Sequence, residues 1–211
     1  MIKFKDDNKG RITQGFNNPN IIYKDRSGAH TGVDSVLGWN KPVPCDNDAL
    51  VYKTIESSQS SENWQGVYML VESNSDYVEV CQGHFNKILV RAGDRILEGT
   101  NIGLEGNKGY VFSNGVRITT EMQNAGSQKG AHVHTSYRPV KRVKRLARNE
   151  FFLQNRDGSN FKDIDGYYYQ IINKDNGLRG MVNPYNYHHV NTDIEDIGAI
   201  QRILNKIFKR K

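Results

Sequence analysis

Between Val90 and Gly109 glycine recurs at positions 93, 99, 103, 106 and 109, and the apolar residues between them come in brief groups, Ile96-Leu97 and Ile102-Gly103-Leu104. Such punctuation suits tight turns joining very short strands. A phosphate-cradling loop would need a lysine and a hydroxyl residue at its close, and a dinucleotide fingerprint would need a different order of glycines. Upstream, from Arg11 to about Val90, short apolar runs such as Val67-Tyr68-Met69-Leu70-Val71 and Tyr77-Val78-Glu79-Val80-Cys81 alternate with polar turn clusters. They read as strands of an antiparallel sheet, and residues 56–63 between them as an exposed loop. Hydrophobic residues make up 36% of the chain and mean hydropathy is -0.70, yet 20 glycines, 11 tyrosines and regular apolar clusters argue against disorder.

Four of the six histidines, His30, His84, His132 and His134, sit in short glycine-rich or strand-like contexts. In His132-Val133-His134 the two imidazoles project from one face of an extended strand, so both can reach one site. Paired histidines also occur on surface strands that bind nothing. Gly28-Ala29-His30-Thr31-Gly32-Val33-Asp34 brings an imidazole and a carboxylate together among small residues, which gives either a hydrogen-bonded turn pair or part of a metal site. With one strand histidine the segment makes three ligands, the usual number for catalytic zinc, and leaves a position for water.

These residues resemble the lysostaphin-type zinc metallopeptidases, which cleave peptide bonds in peptidoglycan. Gly28 to Asp34 is similar to the family's histidine and aspartate segment, Gly83-His84-Phe85 to its isolated-histidine segment, and Gly130-Ala131-His132-Val133-His134 to its closing histidine pair. The run from Ala92 to Asn107 follows the family's glycine-punctuated barrel strands, Pro42-Val43-Pro44 with Leu50-Val51-Tyr52 resembles the strand pair after the aspartate, and Val182-Asn183-Pro184-Tyr185 resembles a segment that often closes the domain. The likeness covers roughly residues 12 to 136. It implies a mostly β fold, an antiparallel sheet with a small barrel-like lobe. It also implies one zinc ion held by His30, Asp34 and His134, with His84 and His132 beside the reacting water and Tyr23 as a further residue to stabilise the intermediate, although Tyr23 stands slightly far from His30. Gln82 replaces the usual tyrosine. The connection from Gly109 to Gly130 is much longer than is usual, and a second insertion runs from about 141 to 173.

The domain organisation expected from this likeness is a peptidase domain over 1–190, with its core at 12–136, followed by an amphipathic helix over 191–211. Thr192 and Glu195 have capping-box spacing, and apolar residues fall at 194, 197, 200, 203, 204, 207 and 208. The basic run Val140 to Arg148 carries five cations in nine positions, Lys141, Arg142, Lys144, Arg145 and Arg148, on either a short amphipathic helix or an exposed arm. Either form gives a solvated face or a grip on an anionic wall polymer. Net charge is +6, but zinc-finger and RNP-type signatures are missing, so nucleic acid is not expected. Cys45 and Cys81 are read as two buried free thiols. Neither a secretory leader nor a membrane span is legible, which fits a wall enzyme that is phage-encoded, released by lysis or carried in a virion. The rival expectation is a non-catalytic wall-binding or assembly module of the same fold, which loss of metal ligands would mark.

Overall fold

Alternation decides which side of each strand is buried. The odd residues Val67, Met69 and Val71 and the even residues Val78 and Val80 are fully or almost fully buried, and they pack with Val33, Val133 and Tyr137 into one apolar cluster. The computed structural model describes residues 2, 4–5, 10–18, 29–60, 63–73, 76–172 and 178–185. In chain order its strands are β1 (Arg11–Gln14), β2 (Val33–Val36), β3 (Pro42–Pro44), β4 (Ala49–Ile55), β5 (Gly66–Ser73), β6 (Asp76–Gly83), β7 (Lys87–Ile88), β8 (Arg95–Ile96), β9 (Asn101–Leu104), β10 (Val111–Ser113), β11 (Val116–Ile118), β12 (Val133–Val143) and β13 (Tyr168–Ile171). One short helix, α1 (Thr120–Asn124), lies among them.

An eight-stranded sheet runs β1-β2-β12-β6-β5-β4-β8, with β13 added to the far end of β12. All its pairings are antiparallel. A three-stranded sheet, β3-β9-β7, forms the small lobe built by the glycine-punctuated stretch. The mostly β, antiparallel architecture with a small lobe is therefore as expected.

Between the sheet and this lobe lies the main core, which Phe4, Phe85, Ile102 and Tyr137 help to fill. Phe4 meets the rings of Tyr137 and Tyr185 edge to face, at 6.1 and 5.0 Å between centroids. The Val182 amide donates to the Tyr137 carbonyl at 2.9 Å, so the expected closing segment does return to the sheet.

The two long insertions have structure of their own. Residues 110–129 form the β10–β11 hairpin and α1, capped by Thr119, whose Oγ1 accepts from the Met122 amide at 3.3 Å. The second insertion lays Leu153, Phe161 and Tyr169 over Tyr52, Leu70 and Val140, covering part of the sheet's other face. The same face continues uncovered as a groove lined by His134, Ser136 and Arg138 of β12 with Tyr68 and Cys81.

Two local expectations need correction. The basic run is neither a helix nor a free arm at its start: Val140 to Val143 pair in register with β13, and only the residues beyond are exposed bends. Arg142 is bound by Asp163 at 2.8 Å and Asp165 at 2.7 Å, and its guanidinium lies 3.9 Å from the centre of the Tyr167 ring. The polar loop is exposed at Glu56 and Ser58 but buried at Asn63, which is drawn in by Gln123. Cys45 and Cys81 are both buried and free. Among the described residues no helix is long and apolar enough to cross a membrane. The expected helix at 191–211 lies outside the described residues.

Candidate metal centre

Adjacent strands bring the expected ligands together. Register pairs His134 of β12 with Asp34 of β2 on one side and with Gly83 of β6, one residue before His84, on the other. Gly32 is required here, because a Cβ at that position would stand 2.8 Å from His134 Nε2 and closer still to the Thr135 carbonyl. His30 reaches in from the segment before β2.

His30 Nε2, Asp34 Oδ1 and His134 Nδ1 form a nearly equilateral triangle, with edges of 3.0, 2.9 and 3.0 Å. Among the described residues this is the one set of three metal-ligating side chains that meets. In a tetrahedral zinc site with ligand bonds of about 2.0–2.1 Å, ligand atoms are on the order of 3.3 Å apart. The triangle is slightly tighter than that and has the right donor chemistry, so the residues fit a zinc ion.

Backbone carbonyls orient three of the imidazoles. His30 Nδ1 donates to the Gly15 carbonyl at 2.9 Å, His84 Nδ1 to that of Lys108 at 2.7 Å, and His132 Nδ1 to that of Gly130 at 2.8 Å. With the proton held on Nδ1, the lone pair of each Nε2 is aimed into the site. His132 Nε2 lies 3.6 Å from Asp34 Oδ2, and the His132 and His84 rings are 4.4 Å apart. His84 has a φ of 67°, left-handed backbone that a histidine adopts rarely and that marks a strained position just after β6.

Electrostatics separate the groups. Burial would raise the Asp34 carboxyl, but His132, His134 and His30 around it hold it well below the usual carboxylate range. Burial alone would lower His30, whereas the Asp34 carboxylate and the Gly15 carbonyl raise it above its ordinary value. The triangle thus attracts positive charge. Burial first, and then His132 and His134, push His84 well below the ordinary histidine value, so at neutral pH it is an uncharged base.

A cavity of about 740 Å³ opens over these residues. Its wall includes Tyr110 and Phe112 from the first insertion, and its floor continues along β12 through Ser136 to Arg138. Tyr23 lies outside the described residues, as do His188 and His189.

Two further residues, Trp64 and Gln123, shape the site without standing out in the sequence. Trp64 packs edge to face on His84 at 4.7 Å, over the glycines at 66, 83 and 109, and a Cβ on Gly83 would fall within the indole ring. Buried Gln123 donates to the carbonyls of Gly109 at 2.7 Å and Ile118 at 3.2 Å and accepts from Asn63 at 2.6 Å. It therefore fixes the bend at Gly109, next to the Lys108 carbonyl that orients His84. Glycines were the one trace of Trp64 in the sequence, and nothing in the sequence marked Gln123.

No family model matches the chain. It is 31% identical over 112 residues to an uncharacterized metalloprotease of Buchnera aphidicola, a match covering 52% of this chain and 28% of that relative. It is 29% identical over 111 residues to the peptidoglycan DD-endopeptidase ShyA of Vibrio cholerae, covering 52% of this chain and 24% of the relative. The matched segment thus spans about a quarter of the length of these relatives. Among solved structures, the catalytic domain of EnpA, a prophage-encoded M23 protein of Enterococcus faecalis, superposes with a TM-score of 0.46 at 21% identity, over 65% of this chain and 85% of that one.

Proposed function

We propose that the chain is a zinc-dependent endopeptidase of the lysostaphin-type metallopeptidase family that hydrolyses peptide bonds of bacterial peptidoglycan. One observation carries this reading: two imidazoles and a carboxylate meet within 3.0 Å, and two further histidines turn their Nε2 atoms towards them under an open groove. A non-catalytic module would have no use for the complete set. The DD-endopeptidase activity of the Vibrio relative points to the same substrate class.

In this reading His30, Asp34 and His134 hold one zinc ion per chain. Bound there, the metal polarises the scissile carbonyl and lowers the pKa of water from about 15.7 towards about 7. The rest falls to the protein. His84 is neutral at pH 7 and takes the proton of the attacking water at Nε2, while its Nδ1 stays fixed on the Lys108 carbonyl. His132, whose ring lies 4.4 Å from that of His84, turns its own Nε2 lone pair to the same water and shares in passing that proton on to the leaving amine. The Gly130 carbonyl keeps its ring from turning away. Tyr110 and Phe112 shield one flank and help to seat an extended peptide.

Lys141, Lys144, Arg145 and Arg148 are the residues through which this reading has the enzyme grip anionic wall polymers. Arg142 is already committed to Asp163 and Asp165. A phage-borne or lysis-released enzyme fits this substrate.

The test is to incubate the full chain with insoluble peptidoglycan, with and without a chelator, beside a His134→Ala variant, and to measure newly exposed amino termini. Release that zinc restores after chelation, and that the variant lacks, is expected. Absence of release from several wall types by zinc-loaded protein would refute the hydrolase.

A further inference from the structure

The floor of the groove continues well past the metal triangle. Side chains alternate along β12, so His134, Ser136 and Arg138 share one face and line one cavity, with Cys81 of β6 and Tyr68 of β5 beside them. At about 3.3 Å per residue, Arg138 stands roughly 13 Å from His134. This is about the length of four residues of an extended peptide.

Arg138 is an incompletely used cation. One of its terminal nitrogens lies 2.7 Å from Glu79 Oε2, while its Nε is buried and has no hydrogen-bond partner. Buried guanidinium N–H groups are normally paired, so this donor points to an acceptor that the fold itself does not supply. Glu79 does not supply that acceptor: it meets Arg138 through the terminal nitrogen alone, and its other oxygen accepts the Tyr52 hydroxyl.

A second cation joins it. Gly180 packs on the stem of Arg138, its Cβ position 3.5 Å from Arg138 Cγ, and the preceding Arg179 is exposed on the same cavity wall. Among the described residues Arg179 makes no hydrogen bond or ion pair. Its φ of 56° is a conformation that favours glycine or asparagine, so local backbone geometry does not account for an arginine there. Lys53 lies over the Tyr68 ring at 4.1 Å and interacts with Glu79 and Arg138. Arg138 and Lys53 thus share one carboxylate, and Arg179 lines the same cavity without one among the described residues.

We propose that this end of the groove is a carboxylate-binding subsite, in which Arg138 and Arg179 receive a free carboxylate of the bound peptide about four residues from the cleaved bond. Such a subsite makes the substrate an acidic peptide rather than a purely neutral bridge. The inference rests on the endopeptidase reading for its peptide, but binding tests it separately from hydrolysis.

The experiment is calorimetric titration of the zinc-loaded full chain with N-acetylated, C-amidated octaglycine peptides in which a single glutamate is walked through the positions, each beside its glutamine counterpart. Trp64 lines the same cavity, so its fluorescence gives a second readout. At one position the glutamate peptide is expected to bind about tenfold more tightly than the glutamine peptide. That preference should fall to within about twofold in Arg179→Gln, which removes an exposed side chain that makes no hydrogen bond or ion pair among the described residues. Replacing Arg138 alone would leave buried Glu79 without its cation, so the companion variant is Arg138→Met with Glu79→Gln, and it should lose the preference as well. Arg156→Gln removes the same charge outside the groove and should keep it. Equal binding of acid and amide at every position, no binding of either, or a preference that survives in both groove variants would overturn the subsite. If the preference holds but no wall preparation releases amino termini, the hydrolase reading falls and the subsite stands.

Discussion

The two faces of β12 make opposite use of one strand. Its odd residues, Val133, Thr135 and Tyr137, are almost wholly buried, and Val133 and Tyr137 belong to the main core. Its even residues, His134, Ser136 and Arg138, line the groove. A shift of one residue in register would exchange the two sets, so the same hydrophobic pattern that closes the core also aims the histidine at Asp34. Stability and chemistry are separable here by position parity, and substitutions on each face should fail in different ways.

The largest effect belongs to the polar side. Replacing His84 or His132 by alanine should lower kcat for wall hydrolysis by about 100- to 10,000-fold while bound metal is retained, as read by steady-state release of amino termini beside a metal assay. Full activity in either variant would remove that residue from proton transfer.

On the apolar side, Tyr137→Ala should cost about 3–5 kcal/mol of stability, because it empties a fully buried aromatic site against Phe4. Denaturant unfolding measures this loss, and an unchanged midpoint would show that the core does not rest on β12.

Gly83→Ala lies between these extremes. Its Cβ would enter the Trp64 ring, so about 1–3 kcal/mol of overpacking strain is expected. Trp64 supports His84, so kcat should drop together with the unfolding midpoint. A fall in stability with kcat unchanged would separate Trp64 from the catalytic histidine.

Legibility in the sequence followed the same division. Period-two alternation and the His-x-His spacing are local, and both the strand and the convergence of its histidines could be read from them. The pairing of His30 with Asp34 was legible too, since only three residues, Gly32 among them, separate the two. The insertions were visible only as excess length. Their folds depend on partners far along the chain: Gln123 gains its role by reaching Asn63, and the basic run is sorted by β13 and by two aspartates about twenty residues on. Arg142 therefore looked like one of five equivalent cations when it is a structural one. The charge pattern held no information on which cation would meet an acid.

The smallest expected effect tests that cation. Desolvation would raise the Asp163 carboxyl, but the Tyr167 amide, the Tyr169 hydroxyl and Arg142 outweigh this and hold it below the ordinary carboxylate value. The sign follows: the stabilisation is fully present above the ordinary carboxylate pKa and is lost as pH falls through the depressed value. Asp163→Asn should lower the unfolding midpoint slightly at pH 7 and progressively less at pH 3 and below. An equal loss at both pH values would show that the carboxylate charge plays no part.

Metal content measured by elemental mass spectrometry on purified variants tests the central assignment most directly. The unaltered chain is expected to bind one zinc, which Asp34→Asn and His134→Ala should lose, whereas His84→Ala and His132→Ala should keep about one per chain. Zinc retained at full stoichiometry in the Asp34 and His134 variants, or lost equally from all four, would contradict the division into metal ligands and proton-transfer groups.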